Sequence, residues 1–304
     1  MPIPFEKWQA LGNDYVIVER DRLPFELTPE RVRRLCDAHL GVGADGVLLL
    51  QPPDEPGFVA RLRIFNPDGS EAELSGNGAR EAILYLRRRG WTDLDEFAIQ
   101  TVAGTIRPVI TGPSSCRVDM GQASLTSKDY PAGAPDGIGE LRADTHDGAR
   151  SWRFRHVSIG NPQCAIRVAD PGALRSLQLD EVGPPIESHP EFPNRTNVSW
   201  YTEIDASGIA RIAARIFERG VGETLSSGTG ACGAAIAYAL EQAPSPGAAA
   251  GGLAGPMRIT VVLDGGELEV EVDERLRVHL SGWALPVFAG TLSEEFVSAL
   301  EELA

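Results

Sequence analysis

The stretch Arg63-Ile64-Phe65-Asn66-Pro67-Asp68-Gly69-Ser70-Glu71-Ala72-Glu73-Leu74-Ser75-Gly76-Asn77-Gly78-Ala79-Arg80 returns as Arg215-Ile216-Phe217-Glu218-Arg219-Gly220-Val221-Gly222-Glu223-Thr224-Leu225-Ser226-Ser227-Gly228-Thr229-Gly230-Ala231-Cys232. Arg-Ile-Phe, Glu, Ser, Gly, Gly and Ala recur at one offset of 152, half of the 304 residues, so the chain reads as an internal duplication. Each copy predicts a short strand, a turn, Ser-Gly-x-Gly and then a helix, over Ala79–Arg89 in one and Ala231–Gln242 in the other. The first N–H groups of a helix and its dipole suit a carboxylate or a developing enolate. Two copies related by a pseudo-twofold offer two such ends to one small ligand, with Ser75 and Ser227 expected to face each other across a cleft. Taken singly, each serine reads as an ordinary N-cap and each glycine as a loop shaper. The matched register of the copies favours the ligand.

Working outward, Gly12-Asn13 precedes a strand at Tyr15–Val18, and Gly160-Asn161 precedes one at Cys164–Val168. Two Gly-Asn turns at matched places point to ligand contact. Thr28-Pro29 predicts a helix start, with Arg31–His39 as its body. Strands are expected at 47–50, 58–65, 97–110, 116–120, 152–159, 210–217, 257–263, 267–272 and 275–280. A short helix is expected near 171–176, and a last one follows the Ser293-Glu294-Glu295 cap. The Gly-, Pro-, Ser- and Asp-rich run from Gly121 to Arg150 is the linker candidate, and Ala243–Gly252 reads as a surface loop.

Length and offset together give two domains, a half-repeat over 1–121 and another over 122–284, with the tail from about 285 to 304 packing back on the first. Composition is that of a globular chain, 42% apolar and 23% charged, without a run long enough for a membrane span. Met1–Lys7 has no basic and apolar leader, which predicts a cytoplasmic location. A net charge of −15 argues against nucleic acid or an anionic membrane as partner. Cys36, Cys116, Cys164 and Cys232 show no paired spacing and the five histidines no ligand spacing, so buried thiols and no metal are expected.

Leu11-Gly12-Asn13-Asp14-Tyr15, Phe65-Asn66-Pro67-Asp68-Gly69-Ser70, Gly76-Asn77-Gly78-Ala79-Arg80, Gly160-Asn161-Pro162, Thr196-Asn197-Val198 and Glu218-Arg219-Gly220-Val221-Gly222-Glu223-Thr224 occur in this order. Together they resemble diaminopimelate epimerase over nearly the whole chain. The resemblance implies an α/β (α+β) fold of two pseudo-symmetric domains, each a mixed sheet wrapped around a central helix. It implies an isomerase that interconverts LL- and meso-diaminopimelate, on the route to lysine and cell-wall precursors, by two-base proton transfer. No cofactor is implied, neither pyridoxal phosphate nor metal. The partner implied is a small dicarboxylate amino acid, and a homodimer is held open. Carried over by position, Ser75 and Ser227 are the catalytic places. Asn13, Asn66, Gly76, Asn77, Asn161, Asn197, Glu218, Arg219, Gly228 and Thr229 are the substrate-binding ones. Arg219 suits one carboxylate of such a substrate and the two helix ends the other.

Four positions depart from the family pattern. Ser75 and Ser227 stand where the family has cysteines, Gln163 where histidine is common, and Gly46 where Gln is frequent. If serine lies roughly five pKa units above cysteine, its alkoxide costs about 7 kcal/mol more to form. Serine is ordinarily activated by a neighbouring base, and with Gln163 in place of histidine no imidazole is clearly placed to act. Three readings stay open: a Cys→Ser form of the epimerase with impaired catalysis; an epimerase working through both serines with help from Glu218, Glu223 or water; and a non-catalytic amino-acid binder or a related isomerase or dehydratase with one base.

Overall fold

The computed structural model of the chain describes residues 2–145, 148–242 and 252–303. They separate into two compact units, Met1–Val118 with Gly282–Ala304, and Asp119–Ser281. In chain order the elements are β1 (Ile3–Ala10), β2 (Asn13–Glu19), α1 (Pro29–Cys36), β3 (Val47–Gln51), β4 (Ala60–Phe65), β5 (Glu71–Ala72), α2 (Gly76–Arg88), β6 (Ile99–Thr101), β7 (Gly104–Ile106), β8 (Pro108–Gly112) and β9 (Ser115–Gln122). There follow β10 (Ile138–Thr145), β11 (Gly148–Ser158), β12 (Pro162–Arg167), α3 (Pro171–Ser176), α4 (Leu179–Glu187), β13 (Asn197–Asp205), β14 (Ala210–Glu218), β15 (Gly222–Thr224), α5 (Gly228–Gln242), β16 (Met257–Leu263), β17 (Gly266–Val272), β18 (Arg277–Trp283), β19 (Leu285–Leu292) and α6 (Glu294–Glu301).

The duplication is visible strand for strand. The first unit runs β19-β1-β2-β3-β4-β6-β7 with β5 beside β4, and the second runs β10-β11-β12-β13-β14-β16-β17 and on to β18, with β15 beside β14. Parallel pairs fall at the same steps, β2 with β3 and β4 with β6, β12 with β13 and β14 with β16. Each β4–β6 type step is a crossover through the long helix, α2 or α5, which the sheet packs around. From Asn77 to Leu86 α2 is buried, and α5 is buried from Gly230 to Ala239. An α-helix that is apolar all round belongs in an interior, which is why α5 lacks a polar face. On the other face of each sheet lie shorter helices. In the first unit Val32 and Leu35 of α1 and Leu300 of α6 share a core with Val16, Val47 and Leu49, and in the second Leu174, Leu179 and Ile186 share one with Trp152, Ile166 and Trp200. With both faces covered, Val47 to Leu50 is buried at every residue.

Several expectations need correction. The linker expected over Gly121–Arg150 instead contains β10 and the start of β11, an antiparallel hairpin in register from Ile138↔Arg155 to Thr145↔Gly148. Its polar residues are the solvent face of an outer strand, with Leu141 and Ala143 alternating inward. Helix α1 stops at Cys36, not His39, because the Asp37 carboxylate accepts the amides of His39 and Leu40 at 2.8 and 2.7 Å and turns the chain. Helix α4 was not expected, and neither was β19, which pairs with β1 from Ile3↔Leu292 to Gln9↔Leu285. The stretch read as a surface loop lies outside the described residues from 243 to 251.

Candidate active site

Two serine turns, one in each unit, are built to one plan. In the first, β4 turns back through β5 with Phe65 opposite Glu71, and Arg63 clamps Glu71 through two hydrogen bonds of 2.8 Å. In the second, β14 turns back through β15 with Phe217 opposite Glu223, and Arg215 clamps Glu223 at 2.9 and 2.6 Å. The duplicated Arg and Glu are thus a fork that fixes the turn delivering each serine. Ser75 then caps α2, its Oγ accepting the Gly78 amide at 3.1 Å, and Ser227 Oγ accepts the Gly230 amide at 3.3 Å. The next amides, of Ala79 and Ala231, return to the serine carbonyls at 2.8 and 2.9 Å. Gly76-Asn77 and Gly228-Thr229 are the first turns of α2 and α5, and the amides at the start of an α-helix, with its dipole, are the arrangement that takes up an anion.

Each Gly-Asn turn touches the first turn of its helix. Gly12 and Gly160 share a left-handed φ of 84°, open to glycine without strain, which swings the next side chain toward the helix. Asn77 Nδ2 donates to Asn13 Oδ1 at 3.3 Å, and Asn161 Nδ2 donates to Thr229 Oγ1 at 3.1 Å. Asn13 also reaches Asp45 at 2.9 Å, the Asp14 and Asp45 carboxylates each accept the other's amide, and Lys7 pairs with Asp14 at 2.8 Å.

The hydroxyls have different partners. Ser227 Oγ donates to Glu218 Oε2 at 2.9 Å, while Thr224 Oγ1 donates to Glu218 Oε1 at 2.9 Å. Burial pushes the Glu218 carboxyl above its ordinary value, and the two hydroxyl donors offset only part of this. Ser75 Oγ instead accepts the Tyr15 hydroxyl at 3.2 Å. Asn66, at the place of Glu218, turns to Ser70 Oγ at 2.9 Å and is not joined to Ser75. Gln163 is fully buried and donates to Asn161 Oδ1 at 2.8 Å rather than to Ser227. Gly233 leaves room for it, since a Cβ there would lie 2.8 Å from Gln163 Cβ.

Asn197 joins the second unit's loops through contacts of its side chain with the backbone, donating to the Pro162 carbonyl at 3.0 Å and accepting the Arg219 amide at 2.9 Å. The Arg219 guanidinium bonds the Asn194 carbonyl at 2.9 Å, and among the described residues it has no carboxylate partner. Buried Glu187 anchors the same turn, accepting the Gly220 amide at 2.9 Å and pairing with Arg195 at 2.6 Å. Tyr15, Thr224 and Glu187 were missed from sequence, and for Tyr15 a signal existed. Gly46 is where a Cβ would fall 2.6 Å from the Tyr15 ring and 2.3 Å from the Phe65 carbonyl, so the small residue and the large one belong together.

No thiol stands in for the serines among Cys36, Cys116 and Cys164. Burial pushes the first two up to about 12 and the third well above its ordinary value, so none supplies a thiolate near neutral pH. All four cysteines are buried and outside disulfides. Among the described residues no group of His, Cys, Asp and Glu converges as a metal site, and no helix is long and apolar enough to cross a membrane.

The fold is shared with a solved protein of phenazine biosynthesis and a solved probable proline racemase. A Bacillus anthracis phenazine biosynthesis protein of the PhzF family superposes with a TM-score of 0.69 at 20% identity, covering 96% of this chain and 99% of that one. A probable proline racemase from Agrobacterium radiobacter K84, with bound carbonate, gives 0.64 at 16% identity, over 96% and 93%. Sequence narrows the class. The diaminopimelate epimerase family model matches residues 5–126 and 155–279, and the chain belongs to that family. Diaminopimelate epimerase of Synechococcus sp. (strain JA-3-3Ab) is 40% identical over 296 residues, 96% of this chain and 99% of that protein. The enzyme of Desulforudis audaxviator (strain MP104C) is 41% identical over 293 residues, 94% and 98%.

Proposed function

We propose that this chain interconverts LL- and meso-diaminopimelate, moving the α-proton through Ser227 and Ser75 without pyridoxal phosphate or a metal. The observation that carries the reading is the difference between the two hydroxyls. A carboxylate only accepts hydrogen bonds, so Ser227 gives its hydrogen to Glu218, and a lone pair stays beside the one that takes the Gly230 amide. In proton removal that lone pair takes the substrate's α-hydrogen while the hydroxyl's own proton passes to Glu218. Glu218 ends as a neutral acid and its charge passes to the α-carbon, so the base that is spent is a carboxylate and no alkoxide has to form; the raised pKa of Glu218 makes it the better acceptor. Ser75 is disposed oppositely. Its two lone pairs are taken by Tyr15 and Gly78, so its own hydrogen is the one to give.

The electron pair left on the α-carbon spreads into the adjoining carboxylate, which the amides at Gly76-Asn77 and Gly228-Thr229 suit. Arg219, without a carboxylate partner among the described residues, suits the distal carboxylate, and Asn13, Asn66, Asn161 and Asn197 the amino groups and the orientation. A one-base isomerase is the second reading, favoured by the fact that only Ser227 is hydrogen-bonded to a carboxylate. Incubation with LL-diaminopimelate in deuterated water separates the cases. Exchange with inversion supports the epimerase, exchange without inversion the one-base enzyme, and binding without exchange a binder.

A further inference from the structure

Behind each serine the duplicated fold provides two supporting places. One is the second residue after the Gly-Asn turn, Tyr15 in the first copy and Gln163 in the second; the other follows the Arg-Ile-Phe of the strand before the serine turn, Asn66 just past β4 and Glu218 at the end of β14. Each copy fills one place with a proton-bearing or proton-accepting group and the other with an amide, and the choice is reversed. In the second copy Glu218 meets Ser227 at 2.9 Å while Gln163 turns to Asn161. In the first, Tyr15 meets Ser75 at 3.2 Å while Asn66 turns to Ser70. The amides in both copies thus serve the loops, and the phenol and the carboxyl serve the serines.

We propose that Tyr15 is a positioning residue that acts through Ser75, holding its hydroxyl as a proton donor and replacing the proton it delivers. The step balances: the Ser75 O–H bond breaks as a Cα–H bond forms, and the Tyr15 O–H bond breaks as a new O–H bond forms on Ser75. The negative charge passes from the α-carbon to the phenolate oxygen, and the reverse reaction returns it. A phenol carries that charge better than an aliphatic alkoxide, so the relay removes the cost that a lone serine would face. The ring is held for this task. Tyr15 is buried, pairs across the sheet with Trp8, and packs where the absence of a Gly46 side chain leaves room.

The proposal rests on the epimerase reading, and the test separates the two. Tyr15→Phe keeps the ring and removes only the hydroxyl, so the fold, checked by thermal unfolding, is retained. Its kcat for diaminopimelate inversion is expected to fall about 100-fold, the usual size of a general-acid contribution, with KM held within about threefold. Adding Ser75→Cys to Tyr15→Phe is expected to recover about tenfold or more, because a thiol is acidic enough to deliver a proton unaided. Tyr15→Phe within about threefold of the unchanged protein overturns the proposal. So does a loss that Ser75→Cys leaves in place, since that marks a structural role. If the unchanged protein neither binds nor exchanges diaminopimelate, the substrate reading itself fails and the proposal with it; exchange without inversion leaves Ser75 idle and overturns the proposal together with the epimerase reading, whereas inversion that Tyr15→Phe does not slow overturns the proposal alone.

Discussion

Glu218→Gln isolates the base. Gln keeps the size of the side chain and an oxygen for the Thr224 hydroxyl, now at 2.9 Å, but places an amide opposite Ser227 Oγ. Ser227 can then no longer hand on its proton, and an alkoxide must hold the charge. Starting from an alkoxide instead of a carboxylate differs by roughly nine pKa units, or about 12 kcal/mol at the usual conversion. A positioned base recovers only part of such a difference, typically 10²–10⁴ in rate, so a loss of about 10³ in α-proton exchange is expected. Stability should move the other way. A buried carboxyl with a raised pKa is replaced by a neutral group, so the Tm at pH 8 should hold or rise. The assay is deuterium exchange into LL- and meso-diaminopimelate, run beside thermal unfolding. Exchange within about threefold of the unchanged protein, with the fold intact, refutes Glu218 as the acceptor. A rise in KM alone would make it a substrate grip instead.

Three further outcomes follow from other residues. Gly46→Ala pushes a Cβ onto the Tyr15 ring and the Phe65 carbonyl, so it should cost about 1–3 kcal/mol in urea unfolding and slow inversion, and an unchanged midpoint would contradict the packing. His156 is buried with its Nε2 2.9 Å from Ser127 Oγ, and burial pulls its pKa from 6.5 to about 4. The unfolded chain therefore binds a proton that the folded one refuses: the contribution is full above pH 6.5 and is lost as pH falls toward 4, by about 3 kcal/mol, and His156→Gln should flatten that limb of a pH series of urea midpoints. Glu81 lies fully buried in α2, and burial pushes its pKa well up despite the nearby Arg80. Here the folded state keeps the proton, so stability is full at low pH and falls by about 1.4 kcal/mol for each pH unit above the ordinary carboxylate range until the buried carboxyl ionises; Glu81→Gln should leave Tm unchanged near pH 4 and raise it at pH 8, and a lower Tm at pH 8 would reveal an ionised, paired carboxylate.

The duplicated plan was legible because the residues kept in both copies are the ones geometry cannot spare. Arg63 with Glu71 and Arg215 with Glu223 are forks across matching strand pairs, and each Ser-Gly-x-Gly is a capped helix start. Helix α4 was hidden by Gly183-Pro184-Pro185, which ordinarily break helices. Its Gly183 is set by tertiary packing, since a Cβ there would lie 2.5 Å from the Phe217 ring. Strand β19 was hidden because it is an outer strand whose Leu285, Val287 and Phe288 face solvent and whose Pro286 sits at an irregularity in the pairing, so no inward alternation marks it. At the site, the pairing of Ser227 with Glu218 lies within nine residues and one turn, and the sequence had marked both. Tyr15 stands 60 residues before Ser75, and only the register of β1, β2 and β3 brings its hydroxyl there. Gly46, an unexplained departure in sequence, acquires its reason from the same ring.

The measurement that bears most directly on the central claim is the fate of the α-hydrogen of LL-diaminopimelate in deuterated water with the protein as it stands, Ser75 and Ser227 included. Chiral separation gives the stereochemistry, and mass spectrometry gives the label. The account predicts meso product carrying deuterium at the inverted carbon, formed at a rate that the Glu218→Gln and Tyr15→Phe variants each lower by about two orders of magnitude or more. Substrate that binds and is recovered as the LL isomer with its α-hydrogen unexchanged would contradict it.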